Sequence, residues 1–411
     1  MTFRIDPVPP TGRLSVGVTT SQLVDSSRGE MFSDEILPRR ELALQIWYPA
    51  APTGNAKPLS GTSAFPWGSL ICPPKSMAVS EYPHFFERIV DLVQIRSDVL
   101  KWPKLTGEIN SHSFPHTPLM KAASPYPVIL FSHGNGGFLA QTSYLMEELA
   151  SHGYVVIAIS HTYNAWLTSF PDGRIIPADF EHPIYKAIEE QYSNSQAILE
   201  QIKKNDSLSF RQQRSKELYH DGEYKKLMPN YFELLQTRCD DLRFTIDELH
   251  RLENNANWRF AGALDLGRLA VLGYSLGGEA ASQTCVIEER IRAGVALDSD
   301  LWGNMFGQSI KQPFFCIYAE SNERDTEYVD RTSAIIIGGT KHASFSSNAY
   351  WWESQGRTDI KGTLATSRCH EITRQYVLAF LNHYLNTITD DILNEATVTI
   401  PEVRYLAAPL V

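Results

Sequence analysis

The chain has 411 residues, of which 43% are hydrophobic and 11% aromatic, so it is long enough to bury a large core. Its 37 basic and 47 acidic residues give a net charge of −10, which argues against non-specific binding to nucleic acid. The first ten residues lack the apolar segment of a signal peptide, and no stretch approaches the roughly 18 apolar residues that a membrane-spanning helix needs. We therefore expect a cytoplasmic protein without a nucleic-acid partner.

The cysteines are scattered along the chain and form no Cys-x-x-Cys pair. They are Cys72, Cys239, Cys285, Cys316 and Cys369. An odd number at such spacings is typical of reduced, mostly buried thiols. The sequence therefore predicts no zinc site.

The first predicted elements form an N-terminal β segment and an insertion. Residues 41–48 alternate like a half-buried strand, and Pro49 and a loop rich in Gly, Pro, Ser and Thr follow it. Residues 81–100 look helical and strongly apolar, and they lie between proline-rich stretches. We predict that residues 51–125 form an insertion into the fold.

Residues 127–131 are an apolar run that opens into a glycine-rich loop, His133 to Gly137. Such a loop after a strand can donate a backbone N–H to an oxyanion, and we assign this role to the amide of Asn135. We predict that His133 fixes the geometry of the loop. A helix is predicted over residues 144–151.

A strand is predicted over residues 154–160, where Val-Val-Ile-Ala-Ile is typical of a strand buried on both faces. His161 follows it at the carboxyl edge. Two interpretations are open: the imidazole lines a pocket, or it orders a loop through a hydrogen bond.

Residues 183–254 are a long, charged helical insertion. In its second helical stretch, apolar residues recur at spacings of three and four, which indicates a face that packs on the core rather than a cofactor site. These residues are Leu235, Cys239, Leu242, Ile246, Leu249 and Leu252.

Residues 269–278 carry the most informative motif, Gly273-x-Ser275-x-Gly277, between an apolar run and a stretch of small residues that can be helical. This pattern predicts a strand that turns sharply into a helix and exposes the serine hydroxyl, and glycine lets the two segments approach closely. Ser275 is therefore the candidate nucleophile, and the amide of Leu276 is the second candidate oxyanion donor.

Two later apolar runs lead to groups that a nucleophilic serine needs. Residues 293–297 lead to Asp298, and residues 334–337 lead through a glycine turn to His342. The order Ser, Asp, His is that of α/β-hydrolases, whose parallel sheets gather functional groups at one edge. The sequence therefore predicts an α/β-hydrolase fold in a single domain, residues 1–411: a mostly parallel sheet flanked by helices, with an N-terminal β segment and helical insertions.

The acid has a rival in Glu320, because in the commonest arrangement of this fold the acid follows a later strand than the one ending at Asp298. Glu320 follows the convincing strand of residues 313–319. Asp300 is a weaker third candidate. Triads are recognised by geometry, so spacing leaves these alternatives open.

After His342, the run Tyr350-Trp351-Trp352 forms an aromatic cluster. Trp351 and Trp352 either form a wall for an acyl chain or anchor the loop in the core. A final helix is predicted over residues 367–386, and the extended tail after Asp390 is expected to cover an edge.

Five blocks occur in an order and spacing that resemble the platelet-activating-factor acetylhydrolase family. They are Phe131–Gly134, Leu149–Tyr154, Gly273–Gly278, Ala296–Asp298 and Gly339–His342. The resemblance implies a calcium-independent serine lipase or esterase that cleaves short or oxidised acyl groups from phospholipid-like esters. It implies the triad Ser275, Asp298 and His342, and so favours Asp298 over Glu320.

Two departures from the family pattern affect the polarity of the pocket. Tyr274 stands where the family often has histidine, and Asn135 replaces an apolar residue in the oxyanion loop. We list Tyr274 with His161, Trp351 and Trp352 as candidate pocket residues. The apolar stretch 81–100 would then belong to a lid or flap that contacts lipid, with a helix packed on the sheet as an equal alternative.

The expected reaction is two-step acyl transfer to water, with an ester or lipid-like small molecule as the substrate and no cofactor or metal. Peripheral contact with a membrane is compatible with such a substrate. The alternative is an acyltransferase, thioesterase or cyclase that uses the same triad on a biosynthetic intermediate. A hydrolase-like receptor or scaffold would require an inactive triad.

Overall fold

The computed structural model describes residues 3–32, 39–54, 56–63, 75, 77, 107–203, 223–299, 310–322, 332–394 and 400–406. The N-terminal β segment contains β1 (Phe3–Ile5), β2 (Ser15–Asp25), β3 (Arg40–Ala50), β4 (Ser60–Ser63), β5 (Gly107–Asn110) and β6 (Ser113–Pro115). β2 and β3 pair antiparallel along their whole length, with Ser15 opposite Ala50 and Asp25 opposite Arg40. The strand predicted over residues 41–48 lies within β3.

Strands and helices then alternate. They are β7 (Tyr126–Ser132), α1 (Ser143–Ser151), β8 (Val155–Ser160), β9 (Leu167–Ser169), β10 (Ile175–Pro177), α2 (Pro183–Lys203), α3 (Glu223–Leu227), α4 (Pro229–Glu253), β11 (Leu264–Tyr274), α5 (Leu276–Ile287), β12 (Ile291–Leu297), β13 (Phe314–Ala319), β14 (Thr332–Ile337), α6 (Ala349–Ser354), α7 (Thr358–Lys361), α8 (Thr366–Asn386) and β15 (Val403–Tyr405). Short 3-10 helices lie at Glu320–Asn322, His342–Phe345 and Asp391–Leu393. α1, β8 and α8 begin within one residue of their predicted starts.

The main sheet has ten strands among the described residues, in the order β15-β14-β13-β12-β11-β7-β8-β3-β2-β6. The six strands from β14 to β8 run parallel to their neighbours. β3 joins antiparallel to β8, and β15 joins antiparallel to β14 at the edge, as expected for the C-terminal tail. The predicted mostly parallel sheet is confirmed.

The strand order reverses between β7 and β11. After β7 the chain proceeds to β8 on one side, and it returns to β11 on the other. The loops that leave the carboxyl ends of β7 and β11 therefore diverge and open a crevice, which is where parallel α/β sheets bind their ligands.

Helices cover both faces of the sheet because its central strands are apolar throughout. Every residue of β7 and β8 is buried. Alternate side chains of β7 enter different cores: Ile129 and Phe131 pack with α1 and α8, whereas Val128 and Leu130 pack with α4 and α5.

The stretch 183–254 contains α2, α3 and α4. The apolar stripe predicted in α4 is buried from Leu235 to Leu249, and Leu252 is partly buried against the same core. The apolar stretch 81–100 lies outside the described residues. Among the residues that are described, no helix is long and apolar enough to cross a membrane.

Candidate active site

The turn between β11 and α5 holds Ser275 in an unusual backbone conformation, with φ 55° and ψ −129°. This region is strained for any residue with a side chain. A methyl group on Gly273 would lie 2.0 Å from the carbonyl oxygen of Gly277, and one on Gly277 would lie 2.0 Å from that of Ser132. The glycines therefore allow the close packing that maintains the strained turn.

Ser275, His342 and Asp298 form a continuous hydrogen-bonded chain. The Ser275 Oγ lies 3.0 Å from Nε2 of His342, and the His342 Nδ1 lies 2.5 Å from Oδ2 of Asp298. The side chain of His342 is 46% exposed and that of Asp298 is 0% exposed. A substrate can therefore reach the imidazole, whereas the carboxylate is hidden behind it.

Asp298 follows β12 in a left-handed conformation, with φ 45°. Its Oδ1 accepts a hydrogen bond from the amide of Ala319 at 2.8 Å, and its Oδ2 accepts one from Nδ2 of Asn322 at 2.6 Å. Burial would raise the pKa of Asp298, but the hydrogen bonds from His342 and these groups hold it below its ordinary value. The carboxylate is therefore ionised at neutral pH and can stabilise a charged imidazole.

The two rival acids lie elsewhere. Glu320 is exposed, and its Oε2 accepts a hydrogen bond from the amide of Gly339 at 2.8 Å. It therefore supports the turn that leads to His342, and the carboxylate bonded to the imidazole is that of Asp298. Asp300 lies outside the described residues.

Two backbone amides beside Ser275 are available to an oxyanion. Leu276 is the first residue of α5, so its N–H has no acceptor within the helix. Asn135 lies in the loop after β7, and an added methyl on Gly134 would come within 3.3 Å of the Ser275 Cβ. Within the described ranges, neither amide donates to an acceptor.

A family model described as platelet-activating factor acetylhydrolase, isoform II, matches residues 81–397. The chain belongs to this family. The platelet-activating factor acetylhydrolase of Cavia porcellus is 25% identical over 323 residues, which cover 73% of this chain and 67% of the relative. The Bos taurus protein of the same name is also 25% identical, and the chain covers 60% of its length.

Two further similarities extend over nearly the whole chain. A probable 1-alkyl-2-acetylglycerophosphocholine esterase of Arthroderma benhamiae is 20% identical and covers 97% of this chain, with 92% of its own length aligned. The structure of a ferulic acid esterase from Streptomyces cinnamoneus matches with a TM-score of 0.65 and 22% identity, over 98% of this chain and 99% of that one. The second likeness shows the fold alone, and it confirms the predicted α/β-hydrolase fold.

Membership of the family confirms the predicted resemblance and the predicted class of enzyme, a carboxylic ester hydrolase. The relatives are named as an acetylhydrolase and an esterase, which favours hydrolysis over the acyltransferase, thioesterase or cyclase alternative.

Tyr274, which stands where the family often has histidine, packs against His342. Its buried hydroxyl donates to the carbonyl oxygen of His342 at 3.0 Å, and the two rings stack with centroids 4.9 Å apart. Burial raises the pKa of this tyrosine. Both the ring and the hydroxyl of Tyr274 are therefore engaged with His342, and its place in a pocket wall stays a prediction.

His161 belongs to a second, fully buried chain of the same three residue types. Its Nε2 lies 2.9 Å from the Ser132 Oγ, and its Nδ1 lies 2.9 Å from Oδ2 of Asp241. Burial and the charge of Arg238 lower the pKa of His161 to about 4, so the imidazole is neutral at pH 7. The expectation that His161 lines the pocket gives way to the other interpretation, a histidine that orders the loop region.

Arg238 on α4 contacts the oxyanion loop, and sequence reasoning missed it. Its guanidinium donates to the carbonyl oxygens of His133 and Gly134 and to Oδ1 of Asn164. Arg238 and Asp241 lie three residues apart beside the apolar stripe, which was the available signal: two opposite charges on the buried side of a helix. As predicted for His133, its ring is a loop component, and its Nδ1 donates to the carbonyl oxygen of Gly134.

The tryptophans have different environments. Trp351 is 1% exposed and belongs to the core, where it packs edge-to-face on Trp352 with centroids 4.2 Å apart. Trp352 is partly buried, and the Arg357 guanidinium lies 5.7 Å from its ring centroid. Of the two interpretations, core anchoring therefore applies to Trp351.

In the part of the chain that the structure describes, no three His, Cys, Asp or Glu side chains are grouped so that they could hold a metal ion.

Proposed function

We propose that this chain hydrolyses carboxylic esters of lipid-like or hydrophobic substrates through an acyl-enzyme on Ser275. One observation carries the assignment: the hydrogen-bonded chain from the Ser275 hydroxyl through His342 to Asp298, next to two amides that donate to no acceptor among the described residues. A nucleophile, a base, an orienting carboxylate and an oxyanion hole are the parts that acyl transfer requires.

In the first step, Nε2 of His342 takes the Ser275 proton while Oγ attacks the carbonyl carbon of the ester. The carbonyl oxygen becomes an oxyanion that accepts hydrogen bonds from the amides of Leu276 and Asn135. Asp298 accepts the Nδ1–H of the imidazole and stabilises its positive charge. His342 then protonates the leaving alcohol, and the acyl group stays on Ser275.

In the second step, His342 takes a proton from water, and the hydroxide attacks the acyl-enzyme through a second oxyanion. Ser275 leaves with the proton from His342, and the carboxylic acid is released. Each oxyanion donor typically contributes a factor of about 10²–10³ to the rate, so the two amides carry a large part of the acceleration.

The names of the relatives support a lipid-like substrate. They describe an acetylhydrolase of platelet-activating factor and a probable esterase of 1-alkyl-2-acetylglycerophosphocholine. We therefore propose a glycerophospholipid-like ester with a short acyl group as the substrate class. The aligned region covers 67% of the Cavia porcellus relative, so this assignment concerns the shared hydrolase region.

The domain organisation of the chain is also a proposal. We assign residues 1–411 to one hydrolase domain with a helical insertion at 183–254. The lid or flap within residues 51–125 and its contact with lipid depend on the stretch 81–100, which lies outside the described residues, so both stay predictions. The cytoplasmic location likewise stays a prediction.

The test is to offer p-nitrophenyl esters of increasing acyl length to the purified protein and to Ser275→Ala, and to locate fluorophosphonate labelling by mass spectrometry. Turnover that depends on Ser275, with the label on that residue, is expected. Turnover favouring short acyl groups supports the proposed substrate class, and a preference for long ones contradicts it. Absence of both labelling and turnover would overturn the proposed mechanism.

A further inference from the structure

The carbonyl oxygen of Gly134 and the N–H of Asn135 belong to the same peptide unit. A trans peptide is planar, and its C=O and N–H point in opposite directions. All peptides of the described residues are trans. Any group that fixes the direction of the Gly134 carbonyl therefore also fixes the direction of the proposed oxyanion donor.

Three donors converge on this carbonyl oxygen. The Nδ1 of His133 lies 2.7 Å from it, and Nη2 of Arg238 and the amide of Gly137 each lie 3.0 Å from it. The guanidinium also donates to the preceding carbonyl, that of His133. One arginine therefore holds two consecutive carbonyls of the oxyanion loop.

Arg238 is itself held firmly and is fully buried. Its Nε donates to Oδ1 of Asn164 at 2.7 Å, and Nδ2 of Asn164 donates to Oδ1 of Asn135 and to the hydroxyl of Tyr185. Burial lowers the pKa of Arg238 to about 10, which leaves the guanidinium charged at neutral pH.

The hydrogen bonds of this cation all go to neutral oxygens. Two are backbone carbonyl oxygens and one is an amide oxygen, and no carboxylate of the described residues accepts from it. Burying a charge without a directly bonded counter-ion destabilises the folded state. Arg40, on β3, differs: it is equally hidden but is paired with both oxygens of Asp241. The position of Arg238 is therefore poorly explained by stability alone.

We propose that Arg238 is a positioning residue for the oxyanion hole: it fixes the Gly134–Asn135 peptide so that the Asn135 amide faces the carbonyl attacked by Ser275. The inference rests on the proposed serine-hydrolase function. A cation at the carbonyl end of a peptide also polarises the unit and strengthens its N–H as a donor. The contribution of Arg238 thus grows as negative charge develops on the substrate oxygen.

The test compares Arg238→Lys with Arg374→Lys. Lysine keeps the charge but has no planar fork, so it cannot hold both carbonyls and Asn164 in one geometry. Arg374 is a matched control because it is 7% exposed and donates to a backbone carbonyl, that of Pro9, which lies outside the oxyanion loop.

For Arg238→Lys, we expect kcat on p-nitrophenyl acetate to fall about 10- to 100-fold, somewhat less than the loss of a whole oxyanion donor, with KM within about threefold. The affinity for a trifluoromethyl ketone, whose adduct with Ser275 carries an oxyanion, should fall by the same factor. Arg374→Lys should change neither quantity more than about threefold. Active sites are counted by fluorophosphonate titration, so unfolded protein does not enter the comparison.

Should Arg238→Lys not fold, Asn164→Ser removes the amide oxygen that accepts from the guanidinium, together with the hydrogen bonds from Nδ2 to Asn135 and Tyr185, and is expected to give a smaller, parallel loss of kcat and ketone affinity. An unchanged kcat, or a lower kcat with unchanged ketone affinity, would overturn the proposal. Failure of the proposed function is distinguishable, because turnover by Ser275→Ala at the wild-type rate would refute the nucleophile whatever Arg238 does.

Discussion

Among the described residues, two hydrogen-bonded chains of serine, histidine and aspartate have similar geometry. In one, Ser275 lies 3.0 Å from His342, which lies 2.5 Å from Asp298. In the other, which is buried, Ser132 lies 2.9 Å from His161, which lies 2.9 Å from Asp241. The two sets are close in space, because Ser132 pairs with Gly273 in the sheet.

Their surroundings differ in three ways that bear on chemistry. The imidazole of His342 is 46% exposed, whereas that of His161 is 0% exposed. Ser275 has a positive φ on a tight turn, whereas Ser132 is the last residue of a regular strand. The amides of Leu276 and Asn135, which donate to no acceptor among the described residues, lie beside Ser275. Three residue types in hydrogen-bonding order therefore do not define an active site; access, strain and an oxyanion hole do.

The largest expected difference between the two hydrogen-bonded chains is in the loss of kcat when the serine is replaced. Ser275→Ala should lower kcat by roughly 10⁶-fold, because it removes the nucleophile. Ser132→Ala should keep kcat within about threefold. It should lower the free energy of unfolding by about 1–3 kcal/mol, because Nε2 of His161 loses its partner inside the core. Steady-state turnover and denaturant unfolding measure the two effects.

Both variants should be examined by mass spectrometry after fluorophosphonate treatment. The label is expected on Ser275 in Ser132→Ala and on neither serine in Ser275→Ala. A label on Ser132 in either protein would show that the buried chain is reactive, and the contrast between the two would be lost.

Replacing each aspartate in turn should separate effects on activity from effects on stability. Asp298→Asn is expected to lower kcat about 10⁴-fold with little unfolding, since the wrong tautomer of His342 is then favoured. Asp241→Asn breaks a buried pair with Arg40 and should destabilise the fold by about 3–5 kcal/mol. Its kcat per titrated active site should stay within about tenfold. Comparable losses of kcat in the two variants would contradict the division of roles.

The lowered pKa of the buried His161 predicts that the stability of the fold depends on pH. The pKa of His161 is about 4 in the folded protein, below its ordinary 6.5, so the unfolded chain binds the proton more readily. The contribution of the neutral His161 to the free energy of unfolding is therefore complete above pH 6.5 and is lost as the pH falls toward 4. Between pH 7.5 and pH 5 the free energy of unfolding should fall by roughly 2 kcal/mol on this account.

His161→Gln should flatten this dependence, and urea unfolding at several pH values measures it. His370, another buried histidine whose pKa burial lowers to about 3, adds a slope in the same direction that the variant retains. An unaltered slope in His161→Gln would show that folding does not lower the pKa of His161.

The smallest effect is expected at the rival acid. Glu320→Gln keeps an oxygen that can accept the Gly339 amide, so kcat should stay within about threefold and stability within about 0.5 kcal/mol. The measurement is kcat for Glu320→Gln beside Asp298→Asn. A loss near 10⁴-fold in Glu320→Gln would reassign the acid to the later strand.

Local patterns were enough to predict much of the fold and the turn at Ser275. The glycines on either side of Ser275 and the apolar run before it are neighbours in sequence, so the strand, turn and helix could be recognised together. The helix that became α8 and the strand that became β8 carried equally local signals. Predicting the contacts between these elements would also have required the order of the strands in the sheet.

The choice between Asp298 and Glu320 shows the limit. Both follow parallel strands and therefore end at the same edge of the sheet, and only the three-dimensional path after each strand determines which carboxylate reaches the imidazole. Arg238 and Asp241 were missed for a related reason. Charged residues on a helix are normally solvated, and their burial here depends on partners about 75 to 200 positions away, Asn164 and Arg40.

The path of α4 has a consequence for protein engineering. This helix lies within residues 183–254, which we propose to be an insertion, and two of its side chains complete hydrogen bonds of the loop after β7 and of strand β3. Removing residues 183–254 would leave the carbonyls of His133 and Gly134 and the guanidinium of Arg40 without these partners. Chimeras in this family should therefore exchange residues 183–254, the loop after β7 and strand β3 together.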